Sequence, residues 1–148
     1  MTGETYAWLA RIHGLLAVLG LASLLHPVVL LRTRANLVPH ARTTAELGAG
    51  LLLAAFAIGW WTYPAYRSQV KRPLWVVHPD AVLRFETKEH LAAMAVALAV
   101  GGALVLRVAG RQPVGREAAW ILLLCGWTLG VVTALLGVYV AGSAHPGW

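Results

Sequence analysis

Ala7-Trp8-Leu9-Ala10-Arg11-Ile12-His13-Gly14 opens a run that stays apolar through Leu31 and stops at Arg32-Thr33-Arg34. A helix of about 20 apolar residues crosses the ~30 Å hydrocarbon core of a bilayer. The run therefore predicts a transmembrane helix over residues 7–31. Three further runs of similar length follow, over residues 44–66, 87–107 and 117–142. The chain of 148 residues is 59% hydrophobic and 12% charged, against about 45–50% and about 25% in soluble domains. The predicted class is an all-α integral membrane protein, a four-transmembrane-helix antiparallel bundle in one domain, residues 1–148. The first run has no basic stretch before it and no small-residue cleavage site, so it reads as a retained helix and not as a signal peptide.

Local signals mark where the spans begin and end. Thr43 and Glu46 have capping-box spacing before the second span. Trp60-Trp61-Thr62-Tyr63-Pro64-Ala65-Tyr66 closes that span as an interfacial aromatic belt, with Pro64 expected to kink or end it. Residues 67–86 read as the longest loop, with Trp75-Val76-Val77 lying on the surface. Thr87 is the expected N-cap of the third span. Gly126, Gly130 and Ala134 on the fourth span, and Ala93, Ala97 and Gly101 on the third, make small-residue ladders suited to close helix contact.

The net charge of +6 does not read as a nucleic-acid surface, because the arginines flank apolar runs, where they anchor helix ends. With four spans, both termini and loop 67–86 share one side. Six cations fall on each side, so positive-inside counting ties. The shorter loops carry no acid, which places the termini and loop 67–86 outside. The expected location is a prokaryotic inner membrane, with the lipid bilayer and other membrane subunits of a redox complex as partners.

A titratable ring within a membrane span is costly and marks a functional site by default. His13 and His26 both lie in the first span. They are 13 residues apart, about 20 Å along a helix and roughly 140° apart around it, so they serve different leaflets. His13 and His90 belong to the same membrane face, on the first and third spans. Ala17 and Gly20 follow His13 on its face of the helix, and Ala93 and Ala97 follow His90. Two imidazoles with little bulk beneath them suit a b-type haem with two axial histidines. Arg11, Lys88 and Arg84 are the candidates for its propionates. The aromatic end of the second span would wall that site or border a quinone pocket.

The alternatives are plainer. A histidine near a helix end also serves by snorkelling or by bonding a carbonyl. Copper or zinc held by His13 and His90 with His78 or His145 is a third option. His26 with His40 forms a weaker second pair. Cys125 reads as a small hydrophobe, Glu46 as a capping residue, and Lys88-Glu89 as a solvated helix start or support for His90. Without a Walker loop, nucleophile elbow or HExxH motif, hydrolase and nucleotide chemistry have no footing.

Leu31-Arg32-Thr33-Arg34, His40-Ala41-Arg42-Thr43-Thr44-Ala45, Lys88-Glu89-His90-Leu91-Ala92, the Arg111–Arg116 stretch and Gly137-Val138-Tyr139 together form a pattern across about residues 30–140. It resembles small four-helix membrane proteins linked to haem-copper oxidase assembly, and more broadly small four-helix b-type cytochromes. Arginines stand where the first group has a histidine between its third and fourth helices. The resemblance implies haem or metal interaction at His40 and His90. The expected function is a haem-b-binding electron-transfer subunit or anchor of a respiratory complex, with quinone as a second cofactor. A non-catalytic accessory or assembly subunit, and a small metal-handling protein, are the alternatives.

Overall fold

The computed structural model describes residues 2–33 and 37–144. The fold is all-α, with no strand among the described residues. Helix α1 spans Gly3–Thr33 and α2 spans Val38–Tyr66. A π-helical turn, Arg67–Lys71, leads into the short α3, Arg72–Val77. Helix α4 spans Pro79–Ala109 and α5 spans Pro113–Ala144. Four segments are long and apolar enough to cross a membrane: α1, the continuous stretch from α2 through α3, α4 and α5. The chain is an integral membrane protein.

The helices exceed the predicted spans, at both ends for α1, α4 and α5 and at the N-terminal end for α2. Helix α1, with 31 residues, is about 46 Å long, well beyond a ~30 Å hydrocarbon core, so its ends reach the headgroup layers. The largest departure is residues 67–86, expected as a loop and almost entirely helical. Pro73 and Pro79 stand in the first turns of α3 and α4, where a missing N–H costs nothing and φ is already helical. Only His78 leaves helical geometry (φ −138°, ψ 71°). Its N–H donates to the Leu74 carbonyl at 2.7 Å and its carbonyl accepts from Ala81 at 3.1 Å.

Two expected caps are corrected for the same reason. Thr43 lies inside α2 and Thr87 inside α4, and their hydroxyls donate to the Pro39 and Leu83 carbonyls four residues back. Glu46 does not close a capping box. It pairs with Arg42 at 3.0 Å and with Arg107 of α4 at 3.7 Å. Pro64 lies inside α2 two residues before its end.

The four long helices form a ring in the order α1, α2, α4, α5, each antiparallel to its neighbours. Three of the four seams close by setting a leucine against a glycine. Between α1 and α2, a Cβ on Gly20 would meet Leu52 at 2.9 Å and one on Gly48 would meet Leu24 at 2.8 Å. Between α4 and α5, Gly102 faces Leu123 and Gly126 faces the backbone of Ala99 and Ala95. Between α1 and α5, Gly130 faces Leu21. There the Trp120 and Trp127 indoles also donate to the Val28 and Leu21 carbonyls, at 3.0 and 3.1 Å. Such approaches maximise van der Waals contact where lipid offers no hydrophobic gradient.

The ladder of Gly126 and Gly130 thus packs as expected. The ladder on α4 does not. Ala93 and Ala97 are exposed, and Gly101 faces open space. The packed face carries Ala95, Ala99, Gly102 and Ala103 instead.

Ionic and aromatic contacts fasten the helix ends. Arg32 lies 3.4 Å from Glu117 and 4.2 Å above the Trp120 ring. At the opposite end the Tyr139 hydroxyl donates to Asp80 at 2.6 Å, and Lys71 pairs with Glu86 at 2.6 Å.

Candidate functional site

The polar groups inside the bundle gather at the end that carries the N-terminus. His13 sits half-buried on α1, and its Nδ1 lies 2.7 Å from the Ala55 carbonyl of α2. That carbonyl can only accept, so Nδ1 carries the proton and Nε2 keeps its lone pair. Gly59 makes room for the ring: a Cβ there would lie 3.2 Å from His13 Cε1.

Lys88 is the neighbour that matters most. Because α4 begins at Pro79, Lys88 is nine residues into the helix rather than at a solvated start. Its chain lies against Gly137 of α5, with Cε 3.2 Å from the position of an added Cβ. Its ammonium sits 5.0 Å from the Phe85 ring centroid and within electrostatic reach of His13. No carboxylate pairs with it among the described residues.

Phe85 in turn stacks on Tyr66 of α2, with ring centroids 3.8 Å apart and planes 16° from parallel. Tyr63 adds a further ring at 6.4 Å. Tyr66 is 5% exposed, and its hydroxyl has no hydrogen-bond partner among the described residues. Tyr6, Glu86 and Glu89 lie within electrostatic reach of it. An unpaired buried donor costs about 1–3 kcal/mol, and more ways of satisfying it are lost in lipid than in water. His13, Tyr66, Phe85 with Lys88, and Gly137 thus bring one feature of each long helix to a single inward cluster.

The other predicted residues fall outside that cluster. His90 is exposed, and its Nδ1 bonds the Glu86 carbonyl on its own helix at 2.8 Å. Lys88 and His90 are two positions apart, about 200° around a helix, so a helix that turns Lys88 inward turns His90 outward. The small residues expected to floor a shared cradle do not form one. Gly20 is filled by Leu52, Ala17 is half-buried beside it in sequence, and Ala93 and Ala97 face outward. His13 and His90 are therefore held by different partners, one between helices and one at the surface. As placed, they do not fit the two axial positions of one haem. Arg11 is exposed, with its guanidinium 5.3 Å from the Trp8 ring, and Arg84 lies over Tyr139 at 4.3 Å.

His26 Nδ1 lies 3.2 Å from the Thr44 hydroxyl, and His40 is exposed in the first turn of α2 rather than in a loop. His78 is half-buried at the break between α3 and α4. His145 lies outside the described residues, among which no three of His, Cys, Asp and Glu are grouped to hold a metal ion. Cys125 is exposed on α5.

Sequence reasoning singled out His13 and Lys88 but assigned Lys88 to a haem propionate or a solvated start. It read Tyr66 only as part of an interfacial belt. The period from Lys88 to His90 was the available signal that one of the two must face away. No protein family, curated protein or solved structure matches the chain.

Proposed function

We propose that the chain is a membrane-embedded subunit or anchor of a redox complex that holds the head group of an isoprenoid quinone in the His13–Tyr66–Lys88 cluster. One observation carries this reading. A tyrosine hydroxyl and a lysine ammonium, linked through the Phe85 ring, stand inside a membrane bundle without acceptors. A quinone offers the complement: a flat ring for aromatic stacking, two carbonyl acceptors, and a tail that belongs in lipid. A bound quinone would supply two-electron, two-proton carrier chemistry, and the Tyr66 and Lys88 donors would hold its carbonyl oxygens in place. With the cation counts of the two ends tied, the absence of acid from the two short connections is what assigns their end to the cytoplasm.

Titrating the purified protein with a short-tailed quinone, read by tryptophan quenching, tests the proposal. Saturable binding is expected in the wild type. Tyr66→Phe and Lys88→Gln should each weaken it about tenfold, the effect of losing one hydrogen bond worth about 1.4 kcal/mol. Unchanged affinity in both variants, or no saturable binding by the wild type, sinks the reading.

His90 favours a second reading. Its Nδ1 is anchored while the ring is exposed on the face that carries exposed Ala93 and Ala97, as in histidines whose orientation is fixed for ligation. In this reading His90 would hold a haem b against a partner subunit, and the group would supply one-electron transfer. A reduced-minus-oxidised spectrum of the complex should then lose its alpha band in His90→Ala and keep it in His13→Ala. The opposite dependence, or none, excludes it.

A further inference from the structure

The α2/α4 seam has no leucine set into a glycine among the described residues, and towards the arginine-rich end it opens into a groove of about 180 Å³. Gly50 and Leu53 form one wall, Val100 and Leu104 the other, and Glu46 with Arg107 stand at the mouth. The two walls run in register. Leu53 is seven residues below Glu46, and Val100 seven residues below Arg107, so the groove descends about 10 Å into one leaflet. Its volume is below the ~300–1,000 Å³ of sites that enclose whole small molecules, and its lining suits a single hydrocarbon chain. Exposed Gly50, Leu53 and Leu104 leave it open to lipid along its length.

The mouth decides which amphiphile fits. Glu46 spans Arg42 at 3.0 Å and Arg107 at 3.7 Å, so two guanidiniums share one carboxylate and one positive charge is left over at headgroup depth. This end of the molecule carries six arginines and two glutamates by sequence. Basic pockets between membrane helices recognise anionic headgroups, and a guanidinium presents its donors in a fork that matches phosphate. We infer that this groove is a binding site for one anionic phospholipid, with an acyl chain between Gly50 and Leu104 and the phosphate at Arg107 and Arg42. A zwitterionic lipid would place its own cation beside that surplus charge.

Native mass spectrometry of the full chain, released from detergent with equimolar phosphatidylglycerol and phosphatidylcholine, tests the inference. The wild type should retain one phosphatidylglycerol in preference to phosphatidylcholine. Arg107→Gln should lower that preference about fivefold, the contribution of one surface cation near anionic lipid. A Cβ on Gly50 meets nothing within 4 Å, so Gly50→Leu should fill the groove and lose the retained lipid without lowering the thermal midpoint. Arg32→Gln, whose guanidinium is engaged by Glu117 and Trp120 at the same end, should keep the preference. Equal retention of the two lipids by the wild type overturns the site, as does undiminished lipid on Gly50→Leu. An Arg32→Gln effect as large as that of Arg107→Gln means diffuse charge, and a dimer dispersed by Gly50→Leu means that a second copy fills the groove. Either result also overturns it.

Discussion

Leucine at position 126 should unseat α5 from α4 and lower stability by about 3 kcal/mol or more. A Cβ at Gly126 would stand 2.9 Å from the Ala99 amide nitrogen and 3.1 Å from the Ala95 carbonyl oxygen. These are backbone atoms of a regular helix and cannot swing aside as a leucine tip can. Accommodation requires the two axes to part, which also loosens Leu123 against Gly102 one turn away. Gly101→Leu is the matched control. It lies on the same interface-rich stretch of α4, but a Cβ there meets open space, and its effect should stay within about 0.5 kcal/mol. Reversible unfolding in mixed micelles, followed by far-ultraviolet circular dichroism, measures both. Equal midpoints for the two variants would mean that the close approach of α4 and α5 does not hold in solution.

The second large effect is a coupling. Leu24 is fully buried and stands 2.8 Å from the position of a Cβ on Gly48, while Leu52 stands 2.9 Å from one on Gly20. Leu24→Ala removes a knob and leaves a void, expected to cost about 2–5 kcal/mol. Gly48→Ala overfills an intact seam and should cost about 1–3 kcal/mol. Combined, the new methyl occupies part of the space the leucine vacates. The double variant should therefore be more stable than the sum of the single losses predicts, by about 0.5–3 kcal/mol. Strict additivity in the same unfolding assay would show that the two residues do not share a contact.

Much of the fold is legible in residue order because four apolar runs of bilayer length leave few alternatives. The stretch 67–86 misleads for a specific reason. Lys71, Arg72, Pro73, Pro79 and Asp80 read as a turn-rich loop, yet both prolines open helices. Lys71 is matched by Glu86, and Asp80 by Tyr139. Partners that arrive from another helix leave no local trace. The same holds for His13, whose partner is the backbone carbonyl of Ala55; any residue there would offer the same oxygen. On α4, small residues are so frequent that two stripes compete. Ala93 and Ala97 belong to the outer one, and Ala95 and Ala99 to the inner. The position of Lys88 depends on that choice, and so does the candidate site.

The uneven seams give the bundle a preferred direction of yielding. Two indoles bound across α1 and α5 act as the spine of a book, and the α1–α2 and α4–α5 hairpins are its boards. The fore-edge between α2 and α4 has no such indole bonds; buried Ala45 and Ala49 of α2 share a core with Ala99 and Ala103 of α4, with the Glu46–Arg107 clasp at one end and the Tyr66–Phe85 stack and Lys71–Glu86 pair at the other. An ion pair this exposed contributes about 0–1 kcal/mol, so the clasp itself adds little to hold that edge closed. Parting the boards there would uncover Lys88 and Tyr66 sideways, towards the hydrocarbon, so an opening along this edge would reach the inward cluster from within the leaflet and not through water.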